Sequence, residues 1–214
     1  MPIVLASASP RRQELLKNAG VEFILRPANI PEIQHPGEAP RIFAERMARE
    51  KARAVVADTK DEYVLGADTV VLIEGTEVSV GDGVTLKSRR ETTGVSPVQP
   101  ELILGKPVDQ QDAGRMLRLL SGRKHHVITG VCLIGPDSED VRSETTAVYF
   151  CALSDADIRD YVATGEPMDK AGAYAIQGAA SRWISKIEGD YSNVVGLPMG
   201  IVLQLLSDRR VGGS

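Results

Sequence analysis

Residues 3–25 read IVLASASPRRQELLKNAGVEFIL, a strand pattern followed by a helix pattern and a second strand pattern. The short apolar run at residues 3–6 predicts a buried strand. Ser9 followed by Pro10 is typical of a helix start, because serine caps free N–H groups and proline fits the first helical turn. Residues 21–25 predict a second strand after that helix.

The rest of the chain mixes helical and strand patterns without strict alternation. A helix of about 17 residues is expected to end near residue 56. Residues 63–73 predict a central strand, and 127–134 with 141–153 predict an antiparallel hairpin. The last helix is expected within 195–206, with Pro198 in its first turn. Together these patterns favour an α/β or mixed α+β fold built on a mixed sheet.

Length and composition are those of an ordinary globular protein. The chain has 214 residues, 43% of them hydrophobic and 25% charged, with a net charge of −4. Such a chain can bury a core without disulfides, so Cys132 and Cys151 are predicted to be reduced core residues. The acidic balance disfavours a general nucleic-acid binder. We find no apolar run near the ~20 residues of a membrane helix and no signal peptide, which predicts a soluble, cytoplasmic protein.

One stretch departs from this pattern. Residues 74–102 are rich in Gly, Ser, Thr and charge, which predicts a flexible loop or a loose hairpin inserted in the domain. We expect residues 1–208 to form a single domain and residues 209–214 a flexible tail.

The first candidate for chemistry is the start of the first helix. A helix N-terminus presents free N–H groups and the positive end of the helix dipole, so Arg11 and Arg12 are electrostatically misplaced there unless an anion binds. Ser7 and Ser9 add hydroxyl donors. The alternative is a solvated basic turn.

Asp68 is the second candidate, because it interrupts the apolar strand VLGADTVVLI. A carboxylate among buried residues is costly unless it is paired or metal-bound; the alternative is an aspartate that caps a turn at the strand end. Lys106 lies in the loop LGKP. Lys51 lies among charged helix residues, where a solvated face is the ordinary interpretation.

The third candidate is EPMDKAGAYAIQG at residues 166–178, where glycines permit close approach to a ligand and Gln177 can read a base edge. A purely structural loop is the alternative. His35, His125 and His126 lack metal-ligand spacing, and the last two are expected to flank a strand.

Six segments in fixed order resemble the Maf family of nucleotide pyrophosphatases. They are SASPRRQELL, GADTVV, LGKP, LSGRKHHVITGV, GEPMDKAGAYAIQG and GDYSNVVGLP. The resemblance covers nearly the whole chain outside residues 74–102. It implies an elongated mixed sheet with flanking helices and two lobes around a cleft, similar to the inosine triphosphate pyrophosphatases.

The resemblance also implies an activity. Family members cleave nucleoside triphosphates between the α and β phosphates and need a divalent cation, Mg²⁺ or Mn²⁺. The Ser-Pro-Arg-Arg form looks like the dTTP/UTP branch rather than the branch that acts on 7-methyl-GTP. A homodimer is implied as well.

The resemblance assigns roles to individual residues. Asp68 is the catalytic proton acceptor or a metal ligand, two roles that the sequence does not separate. The other positions are substrate-binding: Ser7, Arg11, Arg12, Glu32, Lys51, Thr69, Lys106 and Gln177. Among these, Arg11, Thr69 and Gln177 select the substrate, and Arg12, Lys51 and Lys106 are phosphate-side cations.

Two rival interpretations remain open at this point. One is a house-cleaning pyrophosphatase for non-canonical or modified nucleotides. The other is a non-catalytic regulator of septum formation that binds nucleotide without turnover.

The chain departs from the family pattern in one place. Family members usually connect ADTVV to LGKP by a short segment, whereas about 28 residues intervene here.

Overall fold

The structure is a computed structural model that describes residues 2–56, 63–74, 77–80, 84–87 and 101–210. Within these residues the strands are β1 (Ile3–Leu5), β2 (Phe23–Leu25), β3 (Val64–Glu74), β4 (Glu77–Val80), β5 (Val84–Lys87), β6 (Glu101–Leu104), β7 (Lys124–Gly135), β8 (Ser138–Phe150) and β9 (Ile184–Glu188). The helices are α1 (Pro10–Asn18), α2 (Pro40–Val56), α3 (Gln110–Leu120), α4 (Asp155–Ala163), α5 (Tyr191–Val195) and α6 (Met199–Arg210). Short 3₁₀ turns occupy Glu166–Asp169, Ala171–Ala173 and Ala179–Trp183.

The main sheet is mixed, as predicted. Among the described residues its strand order is β2-β1-β3-β7-β8-β9, and β6 pairs with β3. β1 runs parallel to β2 and to β3, whereas β6 is antiparallel to β3. The predicted mixed α/β fold class is therefore confirmed.

The chain divides into two compact units. The first comprises Met1–Val70, Val127–Ala147 and Ile187–Ser214, and the second comprises Val71–His126 and Val148–Lys186.

Strand alternation builds two cores in the first unit. One face of β1, β3 and β7 packs with α1 and α6 in a cluster comprising Ile3, Leu5, Leu16, Leu65, Ala67, Val131, Leu133, Leu197, Val202 and Leu205. The opposite face packs with α2 in a cluster comprising Val4, Ala6, Ala48, Ala52, Val55, Val64, Cys132 and Ile134. Because successive strand residues point to opposite faces, each neighbour in β3 reaches a different helix layer.

Two glycines let α2 lie unusually close to the sheet. A Cβ on Gly66 would clash with the Ala48 carbonyl and lie 2.8 Å from the Ala52 nitrogen. A Cβ on Gly130 of β7 would lie 2.7 Å from the Glu45 nitrogen. The backbone of α2 therefore rests directly on β3 and β7, which fixes the positions of its inward-facing side chains.

The second unit has an aromatic core. The rings of Tyr161 and Trp183 meet edge-on with their centroids 5.2 Å apart. Phe150 and Tyr174 both pack edge-on against His125, whose Nε2 lies 2.8 Å from the Tyr174 hydroxyl.

The last helix differs from the sequence prediction. Instead of one helix within 195–206, α5 ends at Val195 and α6 begins at Met199. Gly196 breaks the helix with a φ of +124°. The carbonyl of Pro198 then accepts the first bond of α6, from the Val202 amide, so that proline precedes the helix instead of lying in its first turn.

Two predictions about single residue types were wrong. His125 and His126 do not flank a strand but lie within β7, where His125 is fully buried. The hairpin strands also differ from their predicted bounds, since β7 begins at Lys124 rather than residue 127 and β8 spans Ser138–Phe150 rather than 141–153. Cys132 is buried as expected, whereas Cys151 is exposed because it follows the last residue of β8.

The inserted stretch is described in part. β4 and β5 form an antiparallel hairpin, one of the two alternatives predicted for residues 74–102. Residues 75–76, 81–83 and 88–100 lie outside the described residues. At the C-terminal end α6 continues through Arg210, two residues into the predicted tail, and 211–214 also lie outside the described residues. Among the helices described, none has the length and apolarity to cross a membrane.

Candidate active site

Arg12 occupies a buried pocket at the start of α1. The residue is only 8% exposed, and its guanidinium donates hydrogen bonds to three neutral acceptors. Nε donates to the Gly196 carbonyl at 2.7 Å, and Nη1 donates to Ser7 Oγ at 2.8 Å. Nη2 donates to Thr69 Oγ1 at 3.0 Å. The guanidinium is thus fixed in orientation by residues from three separate segments.

No carboxylate pairs directly with Arg12 within the described part of the chain. Burial lowers the pKa of this guanidinium, and the charge of Asp68 opposes that effect while the charge of Arg11 adds to it. A buried cation without an ion pair is costly unless an anion approaches it. The alternative of a solvated basic turn is therefore wrong for Arg12, and the site favours an anion at this helix N-terminus.

A second group of charges surrounds Lys51. Its ammonium donates to Asp68 Oδ1 at 2.6 Å and to Glu32 Oε1 at 2.7 Å. Lys51 is 7% exposed and Asp68 is 5% exposed, so this pair is buried. Lys51 therefore does not lie on a solvated face of α2, and Asp68 lies inside β3 rather than at a strand end where it could cap a turn.

The side chains of Asp68 and Thr69 lie on the two opposite faces of the sheet. As neighbours in β3, their side chains point to opposite faces. Asp68 faces α2 and contacts Lys51, whereas Thr69 contacts Arg12 of α1. The buried guanidinium thus contacts one residue of β3, and the buried acid is the neighbouring residue on the opposite face.

This strand position suits ligand binding. β1 ends at Leu5, which pairs with Leu65, so β3 continues beyond the carboxyl end of its parallel neighbour. Asp68, Thr69 and Ser7 all follow this end in their segments. In sheets with parallel strands, ligands bind outside such carboxyl ends.

A chain of buried hydroxyl groups supports Thr69. The Thr69 and Thr129 hydroxyls lie 2.9 Å apart, and Thr129 donates to the Asn193 carbonyl at 3.1 Å. Because the Thr129 proton is used there, Thr69 donates to Thr129 and keeps a lone pair for Arg12. The side-chain amide of Asn193 in turn donates to Thr146 Oγ1 at 3.0 Å.

Sequence reasoning missed this supporting chain. Thr129, Thr146 and Asn193 are all fully buried. The signal was available for Thr129, which interrupts an apolar strand as Asp68 does, but not for Thr146, which follows the polar residues of β8. Asn193 and Gly196 lie in the segment GDYSNVVGLP, to which no role had been assigned.

Lys106 and Gln177 belong to the second unit, and both are exposed. Their two segments are joined there, since the Gly172 amide donates to the Gly105 carbonyl at 3.0 Å. Gln177 lies in a turn closed by the Gly178 amide and the Ala175 carbonyl at 3.1 Å.

The turn that contains Gln177 lies next to the carboxylate of Glu166, which two hydrogen bonds hold in place. Glu166 accepts a hydrogen bond from the Tyr161 hydroxyl at 2.9 Å and a longer one from the Ala179 amide at 3.4 Å. A Cβ on Gly178 would clash with this carboxylate, so only glycine permits the close approach.

The carboxylate oxygens at this site suit a divalent cation that is also bound by the substrate better than a metal ion held by protein ligands alone. Among the described residues no group of three or more His, Cys, Asp or Glu side chains could hold a metal. Asp68 and Glu32, however, present carboxylates to the same point, since both contact Lys51 Nζ. Mg²⁺ is commonly bound by one or two carboxylates together with substrate phosphates.

The fold and these buried charges define a mixed α/β protein with a buried guanidinium on one face of β3 and a buried Lys51–Asp68 pair on the other. The family model described as Maf-like protein matches residues 2–209, and the chain belongs to this family. The resemblance seen in the sequence is thereby confirmed.

Similar proteins from several organisms carry a functional name. A protein of Koribacter versatilis (strain Ellin345) named dTTP/UTP pyrophosphatase is 48% identical over 212 residues, covering 99% of this chain and 95% of the relative. A protein of Geobacter sulfurreducens with the same name is 47% identical, covering 98% and 96%. One of Geobacillus sp. (strain WCH70), also so named, is 42% identical, covering 92% of each chain.

Proposed function

We propose that this protein is a dTTP/UTP pyrophosphatase, which hydrolyses the triphosphate to the monophosphate and pyrophosphate. The observation that carries the proposal is the buried guanidinium of Arg12, fixed by neutral acceptors on one face of β3 while Asp68 lies on the other. The names of relatives at 42–48% identity along nearly the whole chain support the same activity.

Arg12 binds phosphate oxygens in this proposal. Three of its five N–H groups are used by Gly196, Ser7 and Thr69, which leaves N–H groups for the substrate. Since guanidinium groups match phosphate geometry with paired hydrogen bonds, a guanidinium already oriented loses little entropy on binding.

Asp68 acts as the proton acceptor for water. The water oxygen attacks the α-phosphorus, its proton passes to the Asp68 carboxylate, and the bond from the α-phosphorus to the bridging oxygen breaks to release pyrophosphate. Lys51 orients Asp68 through the 2.6 Å contact and has a third N–H for a phosphate oxygen. This role differs from that of a simple phosphate-side cation, because two of its donors already hold carboxylates.

A divalent cation completes the proposal. Asp68 and Glu32 would hold Mg²⁺ or Mn²⁺ with the substrate phosphates, and the ion would neutralise charge on them.

Arg11, Thr69 and Gln177 remain the proposed substrate-selecting residues, and Lys106 a proposed phosphate-side cation, on the strength of the motifs that carry them.

Two further properties are proposed with the activity. The enzyme acts in the cytoplasm, where its nucleoside triphosphate substrates are made and used. It forms a homodimer, which light scattering tests directly, since a dimer has twice the 23.0 kDa mass of the chain.

A nucleotide panel tests the activity. Purified protein is assayed with dTTP, UTP, CTP, GTP, 7-methyl-GTP, ITP and a modified pyrimidine triphosphate, with Mg²⁺ and with chelator, and pyrophosphate is detected. We expect dTTP and UTP to give the highest kcat/KM and the chelator to abolish turnover. Faster cleavage of ITP or a modified pyrimidine would favour a house-cleaning enzyme, and nucleotide binding without turnover would favour a regulator.

Isotope labelling tests the bond that breaks. In H₂¹⁸O, attack at the α-phosphorus places the label in dTMP. Label in the pyrophosphate would show attack at the β-phosphorus and would contradict the role proposed for Asp68.

A further inference from the structure

The segment that supplies Glu32 has no regular structure of its own. Residues 26–39, between β2 and α2, form neither helix nor strand. The Glu32 side chain is 36% exposed, yet its carboxylate lies 2.7 Å from the buried Lys51 ammonium. Because the local backbone does not fix this side chain, contacts from elsewhere must hold the segment.

Arg46 of α2 makes those contacts. Its Nη2 donates to the carbonyl of Ile33, the residue after Glu32, at 2.8 Å. Nε and Nη2 also donate to the two oxygens of Glu38, at 2.6 and 2.8 Å. A single guanidinium therefore ties residues 33 and 38 of the segment to α2.

The arginine is itself held in place. Nη1 donates to Glu50 Oε1 at 2.9 Å, one helical turn further along α2. The guanidinium also lies 5.4 Å from the centre of the Phe43 ring. Glu38 is just as constrained, since its carboxylate accepts from the His35 amide at 3.0 Å.

We propose that Arg46 is a positioning residue that holds the Glu32 carboxylate at Lys51 and Asp68. Lys51 and Arg46 lie on the same helix, so the carboxylate of Glu32 and the backbone beside it are both fixed relative to α2. The inference rests on the proposed function for its catalytic consequence. The hydrogen bonds from Arg46 lower the pKa of Glu38 to about 2, so this ion pair persists at neutral pH.

The test compares Arg46→Met with Arg53→Met. Arg53 is a matched control because it lies on the same helix and also makes a two-point contact, to Glu139 at 2.8 and 3.0 Å, away from the Glu32 segment. We expect Arg46→Met to lower kcat for dTTP by about 10- to 100-fold, as for loss of groups that orient a site, and Arg53→Met to change it by less than about twofold.

Amide hydrogen exchange provides a readout that does not depend on activity. We expect faster exchange at residues 29–38 in Arg46→Met than in Arg53→Met or the unmodified protein. Glu38→Gln, a milder change that keeps one acceptor oxygen, should give an intermediate rate and an intermediate kcat. Equal exchange in Arg46→Met and Arg53→Met would overturn the proposal.

A double substitution separates positioning from general damage. If Arg46 acts through Glu32, then adding Arg46→Met to Glu32→Gln lowers kcat by no more than about twofold further. An effect as large as in the unmodified background would show that Arg46 does not act through Glu32. If the unmodified protein released no pyrophosphate, the proposed function would fall, and hydrogen exchange alone would decide whether Arg46 holds the segment.

Discussion

At the scale of single residues, the central feature is the pair Asp68 and Thr69. Two neighbouring polar residues in a buried strand necessarily face opposite sides of the sheet. In this protein both sides are used, because Lys51 reaches Asp68 from α2 and Arg12 reaches Thr69 from α1. A one-residue shift of β3 would exchange the two partners and break both contacts.

Asp68→Asn tests the residue-scale part of the mechanism. The amide keeps the shape but accepts protons poorly, so we expect kcat for dTTP to fall by on the order of 10²–10⁴, the usual size of general-base loss. The measurement is pyrophosphate release by the folded variant. Asp155→Asn is the control, because Asp155 is exposed and pairs with Arg118 in the second unit. Near-normal turnover in Asp68→Asn would remove Asp68 from the mechanism.

At the scale of elements, α2 organises much of the candidate site. Its close approach to β3 and β7 depends on Gly66 and Gly130, where a side chain would clash with the helix backbone. The same helix carries Lys51, which contacts Asp68, and Arg46, which contacts the segment of Glu32. Displacing α2 therefore disturbs both carboxylates together.

Gly66→Ala tests this dependence. The added methyl lies 2.8 Å from the Ala52 nitrogen, so α2 must move away from the sheet. We expect the free energy of unfolding to fall by about 1–3 kcal/mol, the usual cost of overpacking, with a loss of kcat because Lys51 moves with the helix. Denaturant titration and the dTTP assay measure the two effects.

The control is Gly200→Ala, in α6, where an added Cβ meets nothing within 4 Å. Since alanine is the better helix former, stability should be unchanged or rise by up to about 1 kcal/mol. If Gly66→Ala behaved in the same way, the close packing of α2 would not matter.

At the scale of the whole molecule, acid stability depends on His125, which is buried in the second unit, and on Glu38, which pairs with Arg46. Burial lowers the pKa of His125 to about 3, below the ordinary value of 6.5. Between these values the unfolded chain binds a proton that the folded chain does not, so stability falls as the pH falls. The pKa of Glu38 is about 2 in the folded protein, below its ordinary value of 4.5. By the same rule, the contribution of Glu38 to stability is lost as the pH falls between these two values.

His125→Phe is expected to flatten this pH dependence. Well below pH 6.5 the histidine contributes a slope of about 1.4 kcal/mol per pH unit, which the substitution removes. Denaturant titrations between about pH 5 and 6.5, above the range in which Glu38 loses its contribution, measure the slope. His126→Gln is the control, since His126 is only half-buried. An equal slope in His125→Phe and the unmodified protein would contradict the assignment.

Local patterns in the sequence were sufficient for much of the fold. Hydrophobic periodicity and the Ser9-Pro10 helix start located β1, β3, α1 and α2, because those signals lie within a few residues of one another. They did not locate the break at Gly196, where the irregular backbone presents a carbonyl to Arg12 from a distant part of the chain. They also misjudged Cys151, whose exposure depends on where β8 ends.

The sequence by itself determined the family, the fold class and the residue types able to handle phosphate, since these are written in motifs and periodicities. Only the tertiary structure decided which charges meet. It placed Lys51 between two carboxylates, left Arg12 with neutral acceptors, and joined Thr69 to Thr129 and Asn193. The physical reason is that hydrogen bonds and ion pairs act over about 3 Å in space, and partners 57 or 60 positions apart leave no local trace in a sequence.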